Sequence, residues 1–129
     1  MIDSAIYSLI LENPDIADTF GHHIYPGIVP EKVKGPAVRY FVDDRPADLD
    51  GSGVEGKKKA DIQIDVFLPK YTQMRVVAQS LVSQVHGFKG TREAIDFNLI
   101  EVLDTSQFFD EKTREHRTTI TLTCTYRET

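Results

Sequence analysis

The residues with the clearest chemical potential are two adjacent histidines and a group of carboxylates further along the chain. His22 and His23 precede aspartates at positions 43, 44, 48 and 50, and imidazole with carboxylate is a common set of metal ligands. Adjacent residues on a strand point to opposite faces, so the two histidines cannot easily bind one ion. The chain also lacks spaced Cys or His ligands. We therefore interpret the histidines as turn and strand-start residues and predict no metal and no cofactor.

Other reactive residue types also lack the partners that catalysis needs. Cys124 is the single cysteine, and its place on the apolar side of an alternating stretch predicts a packed core residue, because a reactive thiolate needs an electropositive, accessible setting. Asp61 and Asp65 share one face of a predicted strand, and we interpret them as a solvent-facing pair. Gly51 and Gly53 lack the lysine-threonine ending and the following helix of a phosphate loop. We predict that the chain is not an enzyme.

The basic run formed by Lys57, Lys58 and Lys59 lies in a segment, residues 44–59, that contains three glycines and one proline. A stretch longer than about 12–15 residues without structure is usually functional or disordered, so we predict a mobile loop or a hairpin arm. Acidic residues balance the run, which favours a solvated loop: Asp44, Asp48, Asp50 and Glu55. The alternative is a subunit contact, in which the acidic and basic ends of the arm meet complementary neighbours.

Two main helices are predicted from apolar stripes with helical spacing. The first lies near the N-terminus, is capped by Asp3 or Ser4, and is stopped by Pro14, because a proline biases the preceding residue away from the helical region. A short turn over residues 15–20 follows it. The second main helix covers residues 72–85 and begins at a capping threonine.

Five strands are predicted, over residues 23–29, 37–43, 60–68, 97–103 and 119–127. The last is the clearest, because apolar residues alternate with threonines along it. The resulting order, α-β-β-β-α-β-β, predicts an α+β fold with a mixed, mostly antiparallel sheet, two main helices on one face, and a long loop between the second and third strands.

Length and charge limit the class of protein further. A chain of 129 residues suits one domain, here residues 1–129 with a flexible arm at 44–59. The net charge of −5 argues against a general nucleic-acid binder. No apolar run approaches the roughly 20 residues of a membrane helix, and no signal peptide is visible. A single cysteine suits a reducing compartment, so we expect a soluble protein made in the cytoplasm.

Prolines punctuate the segment over residues 24–42, at positions 26, 30 and 36. Because proline has no amide donor, such a segment belongs at a sheet edge or in a rigid connection. It carries no nucleophile, acid pair or metal cluster, so physical chemistry alone interprets it as architecture.

Several motifs carry a resemblance to a known family. They are Gly21-x-x-Ile-Tyr-Pro-Gly-x-x-Pro, Pro36-Ala-Val-Arg-Tyr, Ala60-Asp-Ile-Gln-Ile-Asp-Val-Phe and His116-Arg-Thr-Thr-Ile-Thr-Leu-Thr-Cys-Thr-Tyr. In this order, and over nearly the whole chain, they resemble the tail-completion or tail-terminator (head-tail joining) proteins of long-tailed phages and prophages. The Tyr-Pro-Gly segment is the most specific of them.

The resemblance implies a structural role in the virion and no catalytic or cofactor residues. Such proteins form a ring, commonly a hexamer, at the head-proximal end of the tail tube, where they end tube polymerisation. The implied partners are further copies of the chain, the major tail tube protein and a head-completion or connector protein, with DNA only as passing cargo and no membrane. Six copies would carry a charge of about −30 in total, which disfavours adhesion to that DNA.

We expect the subunit or partner contacts of such a ring at the Tyr-Pro-Gly segment and along the arm. The residues are Tyr25, Pro26, Asp44, Arg45, Asp48, Asp50, Lys57, Lys58 and Lys59. Two alternatives remain open. One is another phage neck or head-closure connector protein, and the other is a small cytoplasmic enzyme or ligand-binding domain, which would show a deep pocket with convergent polar groups.

Overall fold

A computed structural model of the chain describes residues 1–33, 35–46 and 57–129. In chain order the described elements are α1 (Ile2–Leu11), α2 (Pro14–Phe20), β1 (Ile24–Pro26), β2 (Ala37–Pro46), β3 (Lys57–Leu68), α3 (Tyr71–Val85), β4 (Gly90–Arg92), β5 (Ile95–Asp110) and β6 (Glu115–Glu128). The strands form one sheet in the order β1-β2-β3-β6-β5-β4. β1 is parallel to β2, and every other neighbouring pair is antiparallel. The predicted α+β class is confirmed.

The helices cover one face of this sheet and enclose the core against it. The apolar stripe of α1 is buried, with residues spaced three and four apart on one side of the helix. α3 contributes Met74, Val77 and Leu81 from its buried side. They pack into one cluster with the inward residues of β3 and β6, among them Ile64 and Ile120.

The helix boundaries differ from the predicted caps. α1 begins at Ile2 and α3 at Tyr71, and neither has a side-chain capping hydrogen bond, so the predicted caps at Asp3 or Ser4 and at Thr72 were wrong. Burial of the apolar stripes sets these boundaries instead. Asn13 caps α2, the predicted short turn, by accepting from the N–H groups of Asp15 and Ile16 at 2.9 and 3.1 Å. None of the described helices combines the length and apolar character needed to cross a membrane.

Four of the predicted strands extend further than their sequence patterns indicated, whereas β1 ends at Pro26, so the predicted strand over residues 23–29 was too long. β5 reaches Asp110, seven residues beyond the predicted end at residue 103, because it remains paired with β6 through exposed positions that have no apolar alternation. The short β4 was not predicted. β2 and β3 pair out to Pro46 and Lys58, so residues 44–46 and 57–59 belong to a hairpin and not to a loop. Residues 47–56 of the predicted arm lie outside the described residues.

Candidate interaction surface

The face of the sheet opposite the helices, hereafter the open face, is built from the alternate residues of β2, β3, β6 and β5. The ladder registers place these residues in rows across the sheet. One row runs through Arg39, Asp65, Thr119 and Ser106. The neighbouring row joins Phe67, Arg117 and Phe108. Charged and aromatic side chains therefore lie side by side on this face, whereas the helical face is apolar.

Asp65 is the centre of a polar network on the open face. Its side chain is fully buried (0% exposed) and receives Arg39 Nε at 2.6 Å, while the Arg39 side chain is 26% exposed. Thr119 Oγ1 donates to Asp65 Oδ1 at 2.7 Å, and Gln63 Nε2 lies 3.2 Å from both carboxylate oxygens. The prediction that Asp65 faces solvent was wrong, because neighbouring side chains of the same face cover it and satisfy its oxygens.

Arginines stack on aromatic rings beside this network. The guanidinium of Arg39 lies 5.0 Å from the ring centre of Phe67 and 5.3 Å from that of Phe41. The guanidinium of Arg117 lies 4.5 Å from the ring centre of Phe108. These five residues form the cation–aromatic patch, in which Phe41 and Phe108 remain 39% and 49% exposed. Cation–π geometry of this kind holds long side chains in fixed positions at a surface.

A groove of about 620 Å³ borders the patch at one end of the sheet. Its wall includes Ile28, Val29 and Val33, which follow β1 in the proline-punctuated segment. Gly27 directs this segment away from β2: its φ is +76°, and its N–H donates to the Tyr40 carbonyl at 2.8 Å. Glycine suits this position because other residues rarely adopt positive φ. The proline-punctuated segment therefore forms one wall of this groove, in addition to lying at the edge of the sheet.

The opposite wall of the groove comes from the turn between β5 and β6. Glu115, where this turn meets β6, also lines the wall. Burial raises the pKa of its carboxyl group, while a hydrogen bond with Thr113 opposes this effect and the negative charge of Asp110 adds to it. Glu115 Oε2 and Arg117 Nε are both buried, and neither has a hydrogen-bond partner within the described ranges. Buried polar atoms in native structures normally have partners, and at the edge of a groove water or a group of another molecule can supply them.

The predicted contacts at the Tyr-Pro-Gly segment lie on β1. Tyr25 pairs with Arg39 in the parallel ladder and is half-buried, and its hydroxyl lies 2.9 Å from His23 Nδ1. Pro26 pairs with Tyr40 and is exposed. Tyr25 lies beside Arg39 on the open face, whereas Pro26 lies beside Tyr40 on the helical side. Both lie four or more residues along β2 from the arm, so the structure does not join them to the predicted arm contacts.

The predicted arm contacts lie at the far end of β2 and β3. Asp44 is exposed and accepts from the Tyr126 hydroxyl at 3.2 Å. Arg45 pairs with Lys59 in the ladder. Lys58 Nζ lies 3.2 Å from a Glu128 carboxylate oxygen. Lys57 and Lys59 form no ion pair with any described residue. Asp48 and Asp50 lie outside the described residues.

Cys124 and His23, two of the residues with reactive side chains, make contacts that are structural in character. Cys124 is buried, as predicted, and burial raises the pKa of its thiol to about 12, which opposes formation of a thiolate. His23 contacts Tyr25. Within residues 1–33, 35–46 and 57–129, no three His, Cys, Asp or Glu side chains are grouped as a metal site would require.

Sequence reasoning missed the cation–aromatic patch, although part of its signal was readable. The alternation of β2 already placed Arg39 and Phe41 on the face opposite the apolar residues. Phe67 likewise interrupts the polar side of β3. Phe108 and Arg117 could not be added, because their position beside Phe67 depends on a ladder register that local patterns do not determine.

The chain is similar to a known protein in fold and not in sequence. No protein-family model matches it, and no curated protein matches it in sequence. Its fold is similar to that of a chain in a solved structure described as the virion of a native gene transfer agent (GTA) particle, with a TM-score of 0.77 and 16% sequence identity. The match covers 98% of this chain and 94% of that chain. At this identity, the likeness shows that the two chains share a fold over nearly their whole length.

Proposed function

We propose that the chain is a structural protein of a phage-like virion and has no catalytic role. The observation that carries this proposal is the fold shared, over 98% of the chain, with a component of a gene transfer agent virion. The open face supports it, because its charged and aromatic groups are arranged for contact and not around a reactive group. The groove beside the patch is lined largely by apolar side chains.

Within this class we propose the role of a tail terminator, a subunit of a homo-oligomeric ring at the head-proximal end of the tail tube. The motif resemblance over residues 21–30, 36–40, 60–67 and 116–126 supports this finer assignment. In this role the ring, which we expect to be a hexamer, ends tube polymerisation on one side and binds the head-completion protein on the other. DNA passes through without being bound.

The test is tube assembly from purified major tail tube protein in the presence and absence of this chain. A terminator caps one end of each tube and limits further growth, which electron microscopy measures as tube length and end density. A head-closure or neck protein would instead bind the head connector and leave tubes unchanged. Failure to bind tubes, with retention of connector binding in a parallel pull-down, would overturn the terminator role in favour of that alternative.

The contacts proposed for the arm can be tested with two lysines of the same strand. Lys59 is exposed and has no ion-pair partner in the described part of the chain, whereas Lys58 is paired with Glu128. Lys59→Glu is therefore expected to weaken ring or tube binding while leaving unfolding unchanged, because reversed charge repels an acidic neighbour. Lys59→Gln is the matched control, which removes charge without reversing it. Equal binding by all three proteins would exclude Lys59 from the contact.

A further inference from the structure

One edge of the sheet is left uncovered along the second half of β5. β4 pairs only with Ile95, Asp96 and Phe97 of this strand. The backbone of residues 87–88 then bonds to Ile100, and Val102 N–H donates to His86 Nδ1 at 3.0 Å. Beyond this point, within the described ranges, residues 104–110 pair only with β6, and Leu103 lies at a bulge in that ladder.

This β5 edge is exposed and carries large apolar side chains. Leu103 is 61% exposed, Phe108 49% and Phe109 41%. An exposed edge strand of this length, with unpaired backbone groups and apolar side chains, is a template for pairing with another strand.

A second uncovered edge lies on the opposite side of the sheet. β1 pairs with β2 only at residues 38–40, so in the described part of the chain residues 41–46 pair only with β3. Val38 N–H and the Tyr40 carbonyl point toward β1, and the alternation of the ladder directs the backbone groups of Val42 and Asp44 to the same side. Pro46 ends this edge, and proline, which has no N–H, is suited to an edge position.

The two edges are complementary in direction. β2 and β5 run antiparallel, since three antiparallel pairings separate them in the sheet. If two copies stand side by side in the same orientation, β2 of one meets β5 of the next as an antiparallel pair. Phe41, 39% exposed beside the β2 edge, can then pack near Phe108 on the same face, the kind of aromatic cross-strand contact that stabilises sheets.

β1 covers part of the β2 edge, and β4 with residues 87–88 covers part of the β5 edge. The positions of these covered parts determine the stagger between two such copies. Phe41 and Asp104 lie in the same row through Gln63 and Thr121. If two copies stood at equal height, the uncovered part of β2 in one copy would therefore face the covered part of β5 in the next, and the uncovered part of β5 would face the part of β2 that β1 covers. A shift of four residues, roughly 14 Å, aligns the two uncovered edges and places Phe41 opposite Phe108, which lies on the same face of the sheet. A stagger of this kind is what a sheet needs in order to close on itself.

We propose that copies of this chain join by antiparallel pairing of β2 residues 41–46 in one copy with β5 residues 103–110 in the next. Each copy presents one edge of each kind, so the contact is head-to-tail and generates a ring when the rotation closes. The inference rests on the proposed ring and specifies the surface that builds it. The chain itself supplies the complementary edge, which is the reason for assigning a second copy as the occupant.

Gln107→Pro is the decisive variant. The N–H groups of Ile100 and Val102 point to the outer edge, and the register beyond the bulge gives the N–H of Gln107 the same direction. Proline there removes one edge donor without breaking the ladder to β6. Gln107→Ala is the matched control, because it keeps the N–H and, like the proline variant, removes the 3.4 Å contact between the Tyr71 hydroxyl and Gln107 Oε1.

Association is measured by analytical ultracentrifugation over a concentration series, with thermal unfolding as the folding control. Gln107→Pro is expected to lower the association constant per contact roughly tenfold or more, because one partner carbonyl is left unpaired. Gln107→Ala should stay within about twofold of wild type. Rings of the proline variant as stable as wild type would overturn the edge pairing and leave the proposed ring intact. A wild-type chain that stays monomeric, even with tail tubes, would overturn both.

A second measurement uses the wild-type protein, so its result does not depend on whether a variant folds. Amide hydrogen exchange of Val42, Asp44, Thr105 and Gln107 is followed in the wild-type protein by NMR, at low and high concentration. Edge pairing predicts that exchange at these amides slows at least tenfold on assembly, while amides already inside the β3–β6 ladder change little. Exchange that remains fast in the assembled protein would overturn the proposal.

Discussion

The two faces of the sheet are stabilised by different kinds of interaction between their side chains. The helical face is held by apolar burial, which has no strong directional requirement, and residues such as Leu81 and Ile120 contribute by volume and area. The open face is held by directional contacts, in which Asp65, Arg39 and Thr119 must keep defined distances. A fold needs the first kind of face. The second kind fixes the positions of charged and aromatic side chains on a surface that we propose makes contacts.

The largest expected effect lies on the helical face. Leu81→Ala removes a side chain that is 0% exposed between α3 and the sheet, and we expect it to lower the free energy of unfolding by about 3 kcal/mol through lost transfer energy and a residual cavity. Thr121→Ala, on the half-buried open face, is the matched control and should cost less than about 1 kcal/mol. Denaturant unfolding measures both. Similar costs for the two variants would contradict the distinction between the faces.

The next effect tests the polar network of the open face. Asp65→Ala leaves Arg39, Thr119 and Gln63 without their shared acceptor, and we expect a loss of about 2–3 kcal/mol. The loss is smaller than for a fully enclosed charge, because the Arg39 side chain is 26% exposed and can be hydrated.

Asp65→Asn provides the comparison for this site, since the amide keeps one acceptor oxygen and nearly the same volume. Its expected cost is about half that of the alanine variant. If the asparagine variant were as stable as wild type, the charge of Asp65 would have no role in holding Arg39, and the directional description of the open face would need revision.

The helical face was largely predictable from the sequence, and the reason is physical. Apolar alternation in β3 and β6 and helical spacing in α1 and α3 are local patterns, and burial acts on them residue by residue. The boundaries were less predictable. β5 continues beyond residue 103 because β6 pairs with it, and the strand ends of the arm form because β2 and β3 pair with each other. Pairing between distant segments leaves no local signal.

The open face was only partly predictable for the same reason. Arg39 could be assigned to the polar side of β2, but its ion pair with Asp65 joins residues 26 positions apart. Glu115 and Arg117 gave no sign of unpartnered buried atoms, since their burial depends on the turn after β5 and on the proline-punctuated segment. The sequence therefore predicted which face would be polar, and the fold was needed to show which polar residues act together.

A smaller effect concerns the response of the helical face to alkaline pH. Burial raises the pKa of the Cys124 thiol from 9.0 to about 12. Above pH 9 the unfolded chain releases this proton and the folded chain retains it. The contribution of Cys124 to stability is therefore full below pH 9 and is lost as pH rises toward 12, by roughly 1 kcal/mol at pH 10.

Unfolding measured from pH 7 to 10.5 tests this dependence. Cys124→Ala should show a shallower decline, with the remaining slope coming from Tyr126 and Tyr40, whose pKa values are also raised chiefly by burial. A thiol reagent at pH 8 should modify wild-type Cys124 only after unfolding. Rapid modification of the native protein would show that the core near β6 opens, and a decline unchanged in Cys124→Ala would remove the thiol as its cause.

The smallest expected effect is a gain of stability on the open face. Burial raises the pKa of Glu115 above its usual value near 4.5, so its favourable contribution is present below that pH and is lost as pH rises through the folded-state pKa. At pH 7 the carboxylate is charged, half-buried and has one oxygen without a partner among the described residues. Glu115→Gln should therefore be more stable at pH 7, by a few tenths of a kcal/mol in the free energy of unfolding, and lose this advantage at pH 4; denaturant unfolding at the two pH values measures both.

Glu111→Gln, exposed on the same turn, is the control and should change stability at neither pH. A Glu115→Gln protein that is less stable at pH 7 would show that the carboxylate is already satisfied within the subunit, and neither water nor another molecule would then be needed to complete it.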